Sequence, residues 1–504
     1  MWHSKAVCLI VSFGSVRFCS QLLTVWSVIP SASAISRCER LSCLRSLMIL
    51  SLSPINSRLQ INLDKLNLTN SKLICNNITR QEDSNDTPSV LEVNSMNSLS
   101  SGQHQPKIKI FSFFAGIGFL DLGFEMAGIE VLYVNEVNSS FLSGYQYSRS
   151  KLGLSQPEYG YDCDDATNLL QCQKEERFRD LLTDARKDGS IVGFIAGPPC
   201  PDFSVGGKNR GGEGNNGKLT ETYIEIICRY QPDLFLFENV KGLWSTAKHR
   251  LFYSTMRARL EQSGYLITDS LINALEYGAP QSRERVIAIG FRSELLPMKS
   301  SEELGSNFSW DSNKKNSIDR IFSYPWPKTN IFSENSSLTF PVEIPMDLTV
   351  QYWFEKNDVT HHPNSHHCFT PRAGLSRFLS VLEGDDSKKS YKRLHRWRYS
   401  PTACYGNNEV HLHPYQARRI SVAEALAIQS LPPAFELPST MSLTDMFKST
   451  GNGVPFLAAK GIATTISEFL SVDSKPDLSL TINPNYHSQN SPQEKQLSLL
   501  DLAR

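Results

Sequence analysis

The stretch KIKIFSFFAGIGFLDLGFEMAGIEVLYVNE, residues 107–136, decides the fold. Ile108, Ile110, Phe111, Phe113 and Phe114 form an apolar run that predicts a buried strand. Ala115-Gly116-Ile117-Gly118 then turns the chain, and Phe119 to Met126 has helical spacing that Gly128 ends. Ile129 to Val134 predicts a second strand, closing on Asn135-Glu136. Strand, glycine turn, helix, strand and acid in that order predict a nucleotide-binding unit of an α/β fold. The glycines let the backbone approach a ligand, and helix N–H groups face it. Glu136 is placed to accept from both hydroxyls of a ribose. A tight turn with a surface glutamate has the same letters, so the unit alone leaves its ligand open.

Working outward, Ile191 to Ala196 predicts another buried strand, stopped by Gly197-Pro198-Pro199 because proline lacks the N–H a ladder needs. Cys200 therefore sits on a stiff loop at a strand's carboxyl end, where open α/β sheets build their sites. A lone cysteine is also commonly just a small buried residue. The segment 206–217 is glycine-rich and basic, suited to closing over a substrate or to being a plain surface loop. Leu219 to Tyr230 predicts a helix and Leu234 to Phe237 a strand that delivers Glu238-Asn239 at its end. Four apolar residues before Glu238 predict a dry setting that favours its protonated form, able to donate to a ring nitrogen. Arg283 and Arg285 share one face of an extended segment before a strand at Val286 to Phe291, an arrangement suited to a phosphate, a base carbonyl or surface ion pairs. Asp165 is read either as an acceptor for an adenine amino group or as a helix N-cap.

The whole chain sets bounds on these readings. It has 504 residues, with 51 basic against 51 acidic side chains, which excludes a polybasic protein but not a local phosphate-binding patch. Eleven cysteines without a C-x-x-C pair imply neither a zinc ribbon nor a disulfide framework, and suit a reducing, cytoplasmic setting. Residues 1–105 read as an extension without a fold or as a start placed too early, with Met96 a natural alternative; Arg17 breaks the one signal-like apolar run. No uninterrupted apolar stretch reaches membrane-spanning length.

Six ordered motifs make the chain similar to a known family. They are Phe114-Ala115-Gly116-Ile117-Gly118, Gly197-Pro198-Pro199-Cys200, Glu238-Asn239-Val240, Gln281-Ser282-Arg283-Glu284-Arg285, Arg419 to Pro432, and Gly451-Asn452-Gly453-Val454-Pro455. Together they resemble a DNA (cytosine-5)-methyltransferase of the bacterial restriction–modification type, over about residues 107–470. The resemblance implies a Rossmann-like α/β methyltransferase domain with a mostly parallel sheet, a smaller target-recognition domain, and a cleft for double-stranded DNA. It implies S-adenosyl-L-methionine as cofactor, held by Phe114, Ala115, Gly116, Ile117, Gly118, Glu136, Val137, Asp165, Ala166, Gly197, Pro199, Asn452 and Val454. Cys200 resembles the nucleophile toward cytosine C6, and Glu238 the acid at N3. Asn239 resembles the residue that holds the Cys200 loop, Arg283 the contact to the base carbonyl, and Arg285 its support. Ser204, Gly207, Lys208 and Arg210 are the implied DNA contacts of the catalytic loop. A monomer is expected, with no direct complex with any cognate restriction endonuclease. Close relatives in fold act on tRNA, or bind without turnover, and those readings stay open here. Three positions depart from the family pattern: Ser112 stands where an aspartate is usual, Phe119 where a second glycine is, and Val137 where an aromatic is.

The expected division is an extension (1–105), a catalytic domain (106–325), a target-recognition region (326–410), a segment completing the catalytic domain (411–470) and a disordered tail (471–504). Between Ser387 and Asn408 there is no acid, while Lys392, Arg393, Arg396 and Arg398 alternate with Tyr391 and Trp397. That predicts a phosphate- and groove-facing surface. His361, His362, His366 and His367 match no standard ligand spacing, and no metal is expected.

Overall fold

In the computed structural model the described residues are 107–199, 215–370, 374–403, 405 and 409–471. Cys200, Ser204, Gly207, Lys208 and Arg210 lie outside them, as do the extension and the tail.

The first strand, β1 (Ile108–Phe113), is an interior strand of a seven-stranded sheet of order β3-β2-β1-β4-β5-β7-β6 among the described residues. Its neighbours are β2 (Glu130–Asn135) and β4 (Ile191–Ala196), both parallel to it. Beyond them lie β3 (Tyr161–Asp162) and β5 (Leu234–Val240), also parallel. Every residue of β1 is buried, so its side chains alternate between two apolar layers rather than between core and water. Ile108 and Ile110 face α1 (Phe119–Glu125) and the C-terminal helix, whereas Phe111 and Phe113 enter an aromatic layer with Phe178 and Phe194. α2 (Ser139–Lys151) follows β2, and α3 (Cys172–Ala185) and α4 (Asn215–Tyr230) flank the aromatic layer.

The sheet departs from the sequence expectation at its far edge. β5 runs on through Glu238 and Asn239 to Val240, because β7 (Glu284–Arg292) pairs antiparallel with it as far as Val240↔Arg285. Glu238 is thus within a strand rather than after one. β6 (Tyr265–Asn273), which the sequence reading did not single out, completes the sheet antiparallel to β7. Gly290 permits this close fit, since a Cβ there would stand 2.1 Å from the Phe235 ring. α4 also starts four residues before the predicted Leu219.

The C-terminal segment packs on the first helix. α1 meets the last helix, Phe456–Ser471, across Gly123, where a Cβ would come 2.5 Å from Ala459 Cβ. Another helix, Val422–Ile428, opens on a capping box of Ser421 and Glu424.

The region 326–410 does not close a core of its own among the described residues. Trp353, Phe354 and Leu394 share one cluster with Ile117, Phe119, Phe141 and Leu426. Its polar interior explains a correction. Arg393 is 0% exposed, and it donates to the carbonyls of Phe378, Val381, His413 and Gln416. Arg396 is buried on Glu383, with 2.9 Å from Nε to Oε1. Arg398 donates to Gly384 O and pairs with Asp386. The basic run therefore holds the lobe together from inside, and Arg393 and Arg396 are not the surface DNA contacts expected of them; Lys392 is half-buried. Of the four histidines His362 is buried and shares hydrogen bonds with Phe435 O and Asn364 N, whereas His361 and His366 are exposed. Among the described residues there is no metal-ligating cluster, and no helix is long and apolar enough to cross a membrane.

Burial pushes His395 down to about 4, and His411 and His413, just past this region, to about 3. A histidine held neutral in the fold binds fewer protons than the unfolded chain, so its stabilisation is present above pH 6.5 and lost as the pH falls. Each such group removes up to about 1.4 kcal/mol per pH unit below that point. The urea midpoint should therefore drop between pH 7 and pH 5, and drop less in His411→Gln; equal slopes would contradict burial of a neutral imidazole.

Candidate active site

Sheet register assembles the site. Phe113 pairs with Asn135 on one side and Ala196 on the other, and Ala196 pairs with Phe237. The next residue of each strand is therefore Phe114, Glu136, Gly197 and Glu238, four neighbours along the carboxyl edge of the sheet. Strands are about 4.8 Å apart, so one ligand-sized molecule spans this row.

At the first position the chain turns sharply. Phe114 has φ 52°, Gly116 59° and Gly118 85°, three left-handed residues within five. Glycine adopts that conformation freely, whereas Phe114 is strained there. The turn is held by Gly118 N donating to Ala115 O at 3.0 Å and Ala115 N to Asn135 O at 3.2 Å. A Cβ at Gly116 would meet nothing within 4 Å, so open space lies beside the backbone. Glu136 is 8% exposed, and its two oxygens accept from Gly116 N and Asn138 N, each at 2.8 Å. Burial pushes its carboxyl up, opposed by those N–H groups and by Lys448. Lone pairs remain on both oxygens for a diol. Val137 beside it is 59% exposed, an apolar face next to the acid.

Other expected cofactor residues fall differently. Asp165 is exposed and caps a 3-10 helix, accepting from Thr167 N at 2.8 Å and Thr167 Oγ1 at 2.7 Å. Ala166 and Ile117 turn their side chains into the core, leaving only their backbone for a ligand. Asn452 is exposed at the end of helix Leu443–Asn452, and Val454 is buried behind it. A Cβ at Gly453 would meet Phe119 at 2.1 Å, so this motif lies directly against the residue following the glycine turn. Phe119 itself packs on Phe435, ring centroids 5.3 Å apart, which accommodates the missing second glycine.

The reactive end lies at β4 and β5. Glu238 is 7% exposed, and Arg285 Nε stands 2.8 Å from its Oε1. The carboxylate is thus ion-paired rather than isolated. Gly197 passes so close that a Cβ would come 2.9 Å from Glu238 Oε2. The chain leading into Cys200 therefore touches this carboxylate three residues before the cysteine. Pro199 is exposed. Asn239 is fully buried; its Oδ1 accepts from Val240 N, and its Nδ2 has no acceptor among the described residues. Beside the site Lys241 and Glu284 pair at 2.9 Å, joining the ends of β5 and β7.

The two arginines are placed differently from the expectation, in which Arg283 met the base and Arg285 supported it. Arg283 is 2% exposed and donates to Ala403 O and Gly451 O at 3.0 Å and to Asn452 O at 3.2 Å. Both terminal nitrogens thus donate to backbone carbonyls, which makes it a structural clamp. Arg285, on Glu238, is the arginine at the reactive end. Gln281 assists the clamp, accepting from Ala403 N and donating to Gln429.

One residue escaped the sequence reading. Asp121 sits in α1 among Phe119, Leu120, Leu122 and Phe124, and its carboxylate accepts from Ser112 Oγ at 2.8 Å. A carboxylate is thus present beneath the turn although position 112 is serine. The available signal was an acid between Leu120 and Leu122 in a mostly apolar helix.

Arg283→Lys should lower stability by about 2 kcal/mol or more, since one ammonium cannot satisfy three carbonyls held apart. Arg285→Lys should fold normally and lose about a hundredfold in turnover. Urea denaturation and steady-state rates separate the two; a foldable, inactive Arg283→Lys beside an active Arg285→Lys would reverse the assignment.

Comparison with known proteins agrees with this geometry. The family model for C-5 cytosine-specific DNA methylase matches residues 108–468. The type II methyltransferase M.NmeDI of Neisseria meningitidis serogroup C is 50% identical over 408 residues, covering 81% of this chain and 94% of that protein. M.FnuDI of Fusobacterium nucleatum is 29% identical over 380 residues, 73% of this chain and 96% of its own, and M.NgoPII of Neisseria gonorrhoeae is 29% identical over 375 residues, 72% and 96%. The chain belongs to the C-5 cytosine-specific DNA methylase family and is a DNA cytosine-5 methyltransferase similar to those of type II restriction–modification systems.

Proposed function

We propose that the protein transfers a methyl group from S-adenosyl-L-methionine to C5 of a cytosine flipped out of double-stranded DNA, at a specific sequence, through a covalent bond from Cys200 to C6. The observation that carries this reading is the row Phe114, Glu136, Gly197, Glu238 at one sheet edge, with Arg285 on Glu238.

The residues present fit the cofactor. The turn at 114–118 offers backbone beside open space, Glu136 offers acceptors for a ribose diol, and Val137 offers an apolar face for an adenine. Asp165, already an N-cap, and Asn452 flank that place. S-adenosylmethionine supplies an electrophilic methyl group on its sulfonium. What this chain does is make the base nucleophilic. An aromatic C5 is a poor nucleophile; addition of the Cys200 thiolate to C6 breaks the C5–C6 double bond and leaves electron density at C5. Glu238 hydrogen-bonds or protonates N3, which draws electrons from C6 during attack. Arg285 orients Glu238 and offers donors toward the base carbonyl. Asn239, with a buried donor still without an acceptor among the described residues, is assigned to holding the loop of Cys200. Once C5 carries the methyl, a base removes its proton, the ring double bond re-forms and Cys200 leaves. C5 lies within the duplex stack, so the cytosine must leave the helix to be reached. Ser204, Gly207, Lys208 and Arg210 are assigned to DNA around the flipped base, and Lys392 and Arg398 to its approach. The protein is proposed to act as a cytoplasmic monomer whose methylation protects DNA from an endonuclease with the same site.

The test is transfer of labelled methyl to unmethylated duplex DNA, with tRNA as a parallel substrate and Cys200→Ser beside the wild type. Label at cytosine C5 of DNA, absent in the variant, is expected. A duplex carrying 5-fluorocytosine should be trapped covalently by the wild type, since fluorine does not leave C5 as a proton does. Transfer to tRNA alone, or turnover retained by Cys200→Ser, would overturn the proposal.

A further inference from the structure

Beneath the glycine turn three side chains from three elements meet out of contact with solvent. Ser112 comes from β1, Asp121 from α1 and Tyr145 from α2. Ser112 Oγ donates to Asp121 Oδ1 at 2.8 Å, and the Tyr145 hydroxyl donates to Asp121 Oδ2 at 2.9 Å. Ser112 and Asp121 are each 1% exposed and Tyr145 3%.

Their placement relates to the turn in two ways. Ser112 and Asp121 bracket residues 114–118, so their hydrogen bond closes the loop at its base. The Tyr145 ring lies under the turn itself, where a Cβ on Gly118 would stand 2.4 Å from Tyr145 Cε2. The same tyrosine therefore supports the last turn residue with its ring and reaches Asp121 with its hydroxyl. The turn needs such support, because Phe114 holds a left-handed φ of 52° that its own side chain disfavours. A shift of the turn would also displace Glu136, which is bonded to Gly116 N.

An acid in this place is poor for stability. Burial pushes the Asp121 carboxyl up to about 6, and a second acid, Glu125, lies one helical turn on, paired with Arg149. A carboxylate is nonetheless the group that accepts from both hydroxyls at once while donating to neither.

We propose that Asp121 is a positioning residue for the cofactor site, strapping the turn of residues 114–118 through Ser112 and Tyr145. This rests on the reading of that turn as the S-adenosylmethionine site. The strap is symmetric about the Ser112–Asp121 contact: a carboxylate from either side, facing a hydroxyl on the other, would close it.

The experiment measures S-adenosylmethionine affinity by calorimetry and steady-state methyl transfer, on the full chain. Asp121→Ala should raise the Kd and KM for S-adenosylmethionine tenfold or more, leaving the KM for DNA within about threefold. Ser112→Asp alone, which sets two carboxylates face to face, should do the same or worse. The exchanged pair, Ser112→Asp with Asp121→Ser, should recover most of the lost affinity, a rescue that general destabilisation would not give. Tyr145→Phe keeps the ring under Gly118 and removes one donor, so it should weaken binding about threefold and serves if Asp121→Ala fails to fold. Unchanged affinity in Asp121→Ala or Tyr145→Phe, or loss of DNA and cofactor affinity alike without rescue by the exchange, would overturn the proposal. If the wild type bound no S-adenosylmethionine, the reading of the site itself would fall, which is a distinct result.

Discussion

One buried guanidinium joins three parts of this protein that lie far apart in sequence. Arg283 stands at the entry to β7 and donates to carbonyls at Ala403, Gly451 and Asn452. A buried charge is costly unless its hydrogen bonds are met, and three carbonyls left without donors would be costly in turn. The arrangement therefore holds as a unit. It fixes the chain that leads from the 326–410 region, the loop against the glycine turn, and, two residues on, Arg285 beside Glu238.

The same device recurs in the smaller region. Arg393 is held by carbonyls and by the face of Phe332, 3.8 Å from the ring centroid, and Arg419 by Val410 O and nearby rings. This region has few regular elements; among those described are the short helices Val350–Lys356 and Leu375–Ser380. Without strands or long helices to satisfy backbone carbonyls, long planar donors take over that task. Arg393 and Arg396 are buried inside the region as a result, while Lys328, Lys356, Arg377, Lys388 and Lys389 stay exposed.

The sheet solves a different problem. A reacting base and a cofactor must meet within a few ångströms, and parallel strands in register place their ends in a row. Phe114, Glu136, Gly197 and Glu238 come from four strands separated by up to 124 residues, yet become neighbours because Phe113, Asn135, Ala196 and Phe237 pair across the sheet. Beneath that row the Ser112–Asp121–Tyr145 contact and the Glu238–Arg285 pair stiffen the two ends, which we propose serve cofactor and base.

Much of this was legible in the letters. The β1–turn–α1–β2 unit is local: apolar runs, two glycines and an acid set its order, and six motifs in sequence gave the family. Those features depend on short-range geometry, which residue type largely dictates. The extent of β5, the antiparallel β6, the different partners of Arg283 and Arg285, the burial of Arg393 and Arg396, and the place of Asp121 were not legible. Each depends on which distant segment supplies the partner. Two arginines two residues apart look alike in sequence; one finds carbonyls from residues 403 and 451–452, the other a carboxylate from β5. A basic stretch reads as a surface until the fold brings backbone carbonyls around it. Sequence by itself determined the strand–turn–helix–strand unit and the family. Tertiary structure alone decided which charges serve chemistry and which serve the scaffold, because that is settled by the partners that folding delivers.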